Sequence, residues 1–397
     1  MSASDPVYWE PFESRFITDP YPVYARLREE APLYYNQKHD FYAASRFDDV
    51  ARGLQDWRVF SSAKGDILEL IQSGFEMPPG TVIMEDPPSH DVHRKLLARM
   101  FTPKRIADLE PKVRAYCARA LDPLTGADRF DMMQALGAEL PMRVIGMLLG
   151  IPEADQPAIR DASDANLRTE DGQRMKVRPQ AAFGNEGIAS YIAWRRDHPG
   201  DDIVTALLNT EFTDTDGTRR TLTYEEVLTY ASVVGGAGNE TTGRLISWMT
   251  VVLARHPRAR REISADFSLV PGAIEELLRY ETPSAFIGRY VTRDTEFHGQ
   301  TVPAGSAILF IAAAANRDPR RYDDPDTFDI RREIRQPLTF GYGTHYCLGA
   351  ALARLEGRIA MEEILTRFPD WDVDWAGARL AQTSTVRGWE TLPVIVG

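Results

Sequence analysis

Residues 337–369, PLTFGYGTHYCLGAALARLEGRIAMEEILTRFP, place a single cysteine where its chemistry is easiest to use. Gly341 and Gly343 let the chain turn tightly ahead of Cys347, and Leu348, Leu352, Leu355 and Ile359 then recur at helical spacing until Pro369. Cys347 is therefore predicted at the junction of a loop and a helix N-terminus, where free backbone N–H groups and the helix dipole favour an anionic sulfur. That arrangement suits a thiolate bound to one metal from one side. Zinc is a poor fit, because His345-x-Cys347 has no second cysteine pair nearby. A phosphate-cradling loop would need a following Lys-Ser/Thr and a βαβ frame, and neither is present. A buried structural cysteine is the commonest fate of such a residue, but it leaves Phe340, the glycines and His345 without a common purpose.

A second segment also invites chemistry. Thr223-x-x-Glu226 has the capping-box pattern and Pro257 is the next stop, so residues 224–255 are predicted to form one helix, about 48 Å long at 1.5 Å per residue. Its middle reads VVGGAGNETT. Gly235, Gly236 and Gly238 each weaken a helix by roughly 1 kcal/mol relative to alanine. Such a conflict marks either a functional site or the close approach of another helix, and this segment alone leaves the two equally open.

The cysteine segment resembles the haem-binding loop of the cytochrome P450 family, Phe-Gly-x-Gly-x-His/Arg-x-Cys-x-Gly. Phe340, Gly341, Gly343, His345, Cys347 and Gly349 match every fixed position. Other motifs follow in the expected order. DPPSHDVHRKLLARMF at 86–101 resembles the helix that supplies haem-propionate partners, although the position two after His90, often Arg in relatives, is Val92. Residues 237–242, AGNETT, resemble the oxygen-binding groove of the long helix. Glu276-Leu-Leu-Arg279 resembles the family's Glu-x-x-Arg, and ANRDP at 315–319 with PDTFDIRR at 325–332 resembles the later meander.

The resemblance implies haem b as cofactor, with Cys347 as axial ligand to iron. It implies His90, Arg94, Arg289 and His345 as donors to the propionates, with Phe340, Gly341 and Ala237 also against the haem. Glu276 and Arg279 become a buried scaffold pair, with Arg332 as a third member. Thr241 and Glu240 become the catalytic pair: heterolytic cleavage of dioxygen needs two protons, which gives an alcohol and an acid a defined task, while Ala237 and Gly238 leave room beside the iron. By the same resemblance the substrate pocket draws on residues 64–85, 160–195, 233–241, 284–287 and 382–386. Leu70, Phe75, Val233, Val234, Phe286 and Ile287 are candidate walls for a small apolar substrate: a terpenoid, steroid, fatty acyl or aromatic compound. Arg168, Arg174 and Arg178 can greet a carboxylate at the entrance, but a solvated face is the plainer reading.

The elements needed to position these residues are mostly helices. Residues 92–264 read as largely helical, Phe41–Ala44 as a strand, and YVTRDTEFHGQTVPAGSAILF at 290–310 as short hairpins around HGQ and PAG turns. The expected fold is therefore mainly α with a minor β portion, one cytochrome P450 domain over residues 1–397 with a long central helix over the haem. The chain of 397 residues is 43% hydrophobic and 26% charged, an ordinary globular balance. Its formal charge, 46 − 58 = −12, argues against a nucleic-acid binder. Two cysteines 230 positions apart exclude a disulfide framework, and neither a signal peptide nor a membrane span is expected, so a cytoplasmic location follows. Nothing resembles a flavin or nicotinamide domain, so electrons must come from outside. Arg94, Lys95, Arg99, Arg331, Arg332, Arg335, Arg354 and Arg358 form a candidate basic patch for an acidic ferredoxin served by its reductase. The expected activity is a haem-thiolate monooxygenase. A peroxide-driven peroxygenase and a haem-binding sensor or carrier without turnover are the alternatives.

Overall fold

A computed structural model describes residues 6–177, 186–383 and 385–397. The helix of 224–255 is present with those bounds and both halves of its capping box: Thr223 accepts from the Glu226 amide while the Glu226 side chain accepts from the Thr223 amide. It runs unbroken through the glycines. Gly238 is explained by packing, since a Cβ there would lie 2.6 Å from Ile145 of the helix Glu139–Leu149. The room left by the missing side chain of Gly238 is taken by Ile145. At Gly243 a Cβ would meet the Gly137 carbonyl at 2.6 Å, so the same two regions close on each other twice.

The central helix is bracketed by Glu139–Leu149 and by Ala350–Arg367, the helix that follows Cys347. Leu245 touches the bare position at Gly357, which lets these two helices approach closely. Glu110–Leu121 and Val270–Tyr280 complete the wall around the cysteine helix, and residues 89–98 form the donor helix.

The β portion is small, as expected. Five strands pair in the spatial order Leu33–Asn36, Phe41–Ala44, Ala307–Phe310, Ile287–Val291, Phe60–Ser61. The register sets Ile308 opposite Arg289 and beside Tyr42. Because side chains alternate along a strand, Ile287 and Arg289 share one face. His298 and Gly299 turn the HGQ hairpin with positive φ. Not every proline begins a helix: Pro103, Pro111 and Pro157 do, whereas Pro152 lies in a turn after Leu149. No helix among the described residues is long and apolar enough to cross a membrane.

Candidate functional site

Cys347 lies three residues before the cysteine helix, in a loop closed on itself. Its amide donates to the Phe340 carbonyl at 2.8 Å, and the Tyr346 amide donates to Gly343 at 3.1 Å. Gly341 and Gly343 both adopt φ of 71°, which side chains rarely tolerate, and a Cβ on Gly343 would also strike the Gln55 backbone at 2.9 Å. Beneath the loop, Arg354 stacks 4.5 Å from the centre of the Phe340 ring and binds Glu275 and the Tyr346 hydroxyl. Cys347 keeps accessible surface, yet its sulfur is desolvated enough to hold the thiol above the ordinary range, against the pull of the Gly349 amide, Arg94 and Arg354. Burial thus opposes the anionic sulfur that the helix N-terminus favours. A coordinated metal ionises the thiol outright.

Around this loop the structure gathers the expected donors. The His90 and His345 rings meet at a tilt of 52° with centres 4.3 Å apart, and among the described residues the Nε2 atom of each is buried without a partner. Burial lowers both imidazoles, that of His345 to about 2, with Arg289, His90 and Arg94 adding to the effect. Arg94 donates to the Tyr346 carbonyl, and Arg289, 4% exposed, donates to Gly288 at 2.8 Å. Among the described residues neither guanidinium has a carboxylate within ion-pair distance. Two desolvated guanidinium groups and two unpartnered imidazole nitrogens form an arrangement that is costly until an anion enters. Two carboxylates on one flat group satisfy all four. Among the described residues no three His, Cys, Asp or Glu side chains gather as a metal cage, so a metal at Cys347 must bring its other ligands with it. Haem meets both conditions.

The same geometry makes the haem-free chain acid-sensitive. Folded His90 binds its proton below pH 6.5 and folded His345 only at about 2, while the unfolded chain takes them up near 6.5. Stability from these groups is present above that value and is lost as pH falls toward the folded values. The urea midpoint of haem-free protein should drop between pH 7 and pH 5, and the drop should shrink in His345→Gln; an equal drop in the variant would refute the assignment.

On the central helix, Ala237 is exposed in mid-helix and Thr241 is partly so. The Thr241 hydroxyl donates to the Ala237 carbonyl at 2.9 Å, leaving its oxygen able to accept a further bond. Glu240 is buried beside Arg244, at 2.8 Å. Arg244 was not anticipated; its spacing of four from Glu240 was the signal available. Asn316, within ANRDP, is another such residue: it accepts from the Leu338 amide and donates to Thr282 and Thr339, anchoring the chain just before Phe340.

Glu276 and Arg279 are fully buried and joined by two bonds of 2.7 and 2.8 Å. Arg332 adds a third contact at 3.3 Å, and Arg279 also donates to the carbonyls of Asn316 and Pro325. Of the candidate substrate walls, Val233, Phe75 and Ile287 are partly exposed, while Leu70 and Val234 are buried. Phe286 is also buried and packs in the N-terminal core, its ring 5.9 Å from Trp9. Arg168 pairs with Glu390, Arg174 binds Gln72, and Arg178 lies outside the described residues, as does one residue of the 382–386 turn.

The sequence profile described as Cytochrome P450 matches residues 189–374. Putative cytochrome P450 123 of Mycobacterium tuberculosis is 38% identical over 392 residues, covering 98% of this chain and 96% of that one. Cytochrome P450 monooxygenase PikC of Streptomyces venezuelae is 35% identical over 387 residues, covering 96% and 91%. Among solved structures, cytochrome P450 CYP109Q5 from Chondromyces apiculatus superposes with a TM-score of 0.84 at 33% identity, covering 96% of each chain.

Proposed function

Because this chain belongs to the cytochrome P450 family, and so is a haem b monooxygenase, we propose that it inserts one oxygen atom into a C–H or C=C bond of a small apolar substrate, with electrons from an external ferredoxin and its reductase. The observation that carries this reading is the convergence around one accessible cysteine of two imidazoles whose Nε2 atoms are buried without a partner and two desolvated guanidinium groups outside any ion pair among the described residues. Bound haem supplies the redox chemistry of dioxygen. Cys347 would ligate its iron, His90, His345, Arg94 and Arg289 would hold its carboxylates, and Phe340, Gly341 and Ala237 would line the site.

Thr241 and Glu240 handle protons. The threonine hydroxyl, already donating to Ala237, accepts a bond on the substrate side, and the adjacent carboxylate relays protons to it. Val233, Phe75 and Ile287 present apolar surface to the substrate. A Thr241→Ala enzyme should keep consuming reductant while product yield falls several-fold and peroxide rises, provided dioxygen is the oxidant. Unchanged product yield would remove the role, and efficient turnover with added hydrogen peroxide but not with reductant would favour the peroxygenase. A spin-state titration with steroid, terpenoid, fatty-acid and aromatic compounds tests the substrate class; no response to any of them favours a carrier or sensor.

The ferredoxin face is narrower than sequence neighbours imply. Arg331 pairs with Glu262, Arg332 with Glu276, Arg354 with Glu275, and Arg358 with Glu110 and Glu362. Lys95, Arg99 and Arg335 remain exposed and outside any ion pair, with Lys104 and Lys112 on helices packed beside the cysteine helix. These five cations are the proposed contact for an acidic partner. Reduction by ferredoxin should slow as salt rises and in Lys95→Glu/Arg99→Glu; rates indifferent to both would refute the surface.

A further inference from the structure

The backbone of residues 387–389 is stitched to one face of the central helix just beyond Thr241. Trp248 Nε1 donates to the Arg387 carbonyl at 2.9 Å, Ser247 Oγ accepts from the Trp389 amide at 3.2 Å, and Arg244 Nη1 donates to the Trp389 carbonyl. The other arm of the same guanidinium, Nη2, holds Glu240 at 2.8 Å, and both side chains are less than a tenth exposed. Between the anchoring residues stands Gly388. Its backbone is not left-handed, so conformation does not demand glycine there; space does. A Cβ would lie 2.6, 2.7 and 2.9 Å from Arg244 Cδ, Cβ and Cγ, inside contact distance of the arginine stem.

We infer that Arg244 is a positioning residue for Glu240, fixing the acid by tethering it to the strand Trp389–Thr391, and that Gly388 is glycine to admit the arginine. The inference rests on the reading of Glu240 and Thr241 as the proton-handling pair. An ion pair between residues four apart on a helix ordinarily leaves both side chains free to change rotamer. Here the planar fork has one arm on a carbonyl that two neighbouring bonds hold in place, so the second arm presents a fixed point to the carboxylate. The acid beside Thr241 is thereby held by a strand more than a hundred residues away in sequence.

The experiment uses the haem-loaded enzyme with a ferredoxin–reductase pair, dioxygen and no organic substrate. Dioxygen then leaves either as hydrogen peroxide, after two electrons and two protons, or as two waters, after four of each. Arg244→Met should raise the peroxide-to-water ratio about tenfold, the size of effect typical for loss of an orienting partner, and should change the solvent deuterium effect on water formation. Arg244→Lys, which restores the charge, should recover a large part of both. Gly388→Ala touches neither charge and should act in the same direction as Arg244→Met by displacing the stem. The absorbance of the reduced carbon monoxide complex should match the parent in all three, which a general structural defect would not allow. A parent-like ratio and isotope effect in Arg244→Met and Gly388→Ala, alongside an altered ratio in Glu240→Gln, would overturn the tether alone. An unaltered ratio in Glu240→Gln would overturn the proton-pair reading instead. If Arg244→Met does not fold, Arg244→Lys and Gly388→Ala decide the matter.

Discussion

A Cys347→Ala protein, reduced and exposed to carbon monoxide, is expected to lack the strongly red-shifted Soret band of a thiolate-ligated haem, and its dioxygen-dependent turnover should fall to background. Sulfur ligation pushes electron density onto iron and favours O–O cleavage, and no neighbouring side chain can replace it. His345, two residues away, is the nearest nitrogen in sequence, but its ring is turned to His90 and desolvated. The haem-free fold should barely notice: Cys347 keeps accessible surface and its amide bond to Phe340 uses backbone alone, so the stability of the haem-free protein should change by no more than about 0.5 kcal/mol. A variant that keeps the red-shifted band would end the assignment of the ligand.

Arg279→Ala should show the opposite pattern, with ligand chemistry untouched and the fold lost. Arg279 is fully buried, bonded twice to Glu276 and to the carbonyls of Asn316 and Pro325. Removing it leaves the buried Glu276 carboxylate with only Arg332 and the Asp329 amide, and strips two core carbonyls of their donor. Breaking a buried pair this way costs about 3–5 kcal/mol, a large share of the roughly 5–15 kcal/mol that holds a domain together. Little soluble haem protein should be recovered, and a chemical melt of what remains should show a sharply lowered midpoint. Arg279→Lys should rescue only part of it, because one ammonium cannot reproduce a two-bond fork and two carbonyl contacts. Soluble Arg279→Ala protein with the parent midpoint would make the pair dispensable.

Local rules made much of this readable in one dimension. The bounds of the central helix follow from Thr223, Glu226 and Pro257, because capping and proline exclusion act within a few residues. The cysteine loop follows from Gly341 and Gly343, whose backbone angles few other residues adopt. The HGQ hairpin follows from turn chemistry, and the mainly helical class from periodicity. Spacing also placed Glu276 near Arg279, but an i, i+3 pair reads as surface until burial is known.

What only the tertiary structure decided concerns contacts between residues far apart in the chain. Gly238 is an answer to Ile145, and Gly388 to Arg244, since steric room belongs to pairs of segments and not to either alone. Phe286 fell to the Trp9 core, and four cations of the expected docking patch fell to glutamates on other helices, because side-chain partners are settled by three-dimensional proximity. The amino-acid order by itself marked the candidate ligand, the helix that bears the proposed acid and alcohol, and the kind of cofactor, since each is carried by residue types at short fixed intervals. Burial and packing determined the charge environment of Cys347, the anchoring of Glu240 and which cations face solvent, because desolvation and pairing depend on the whole enclosure around a group.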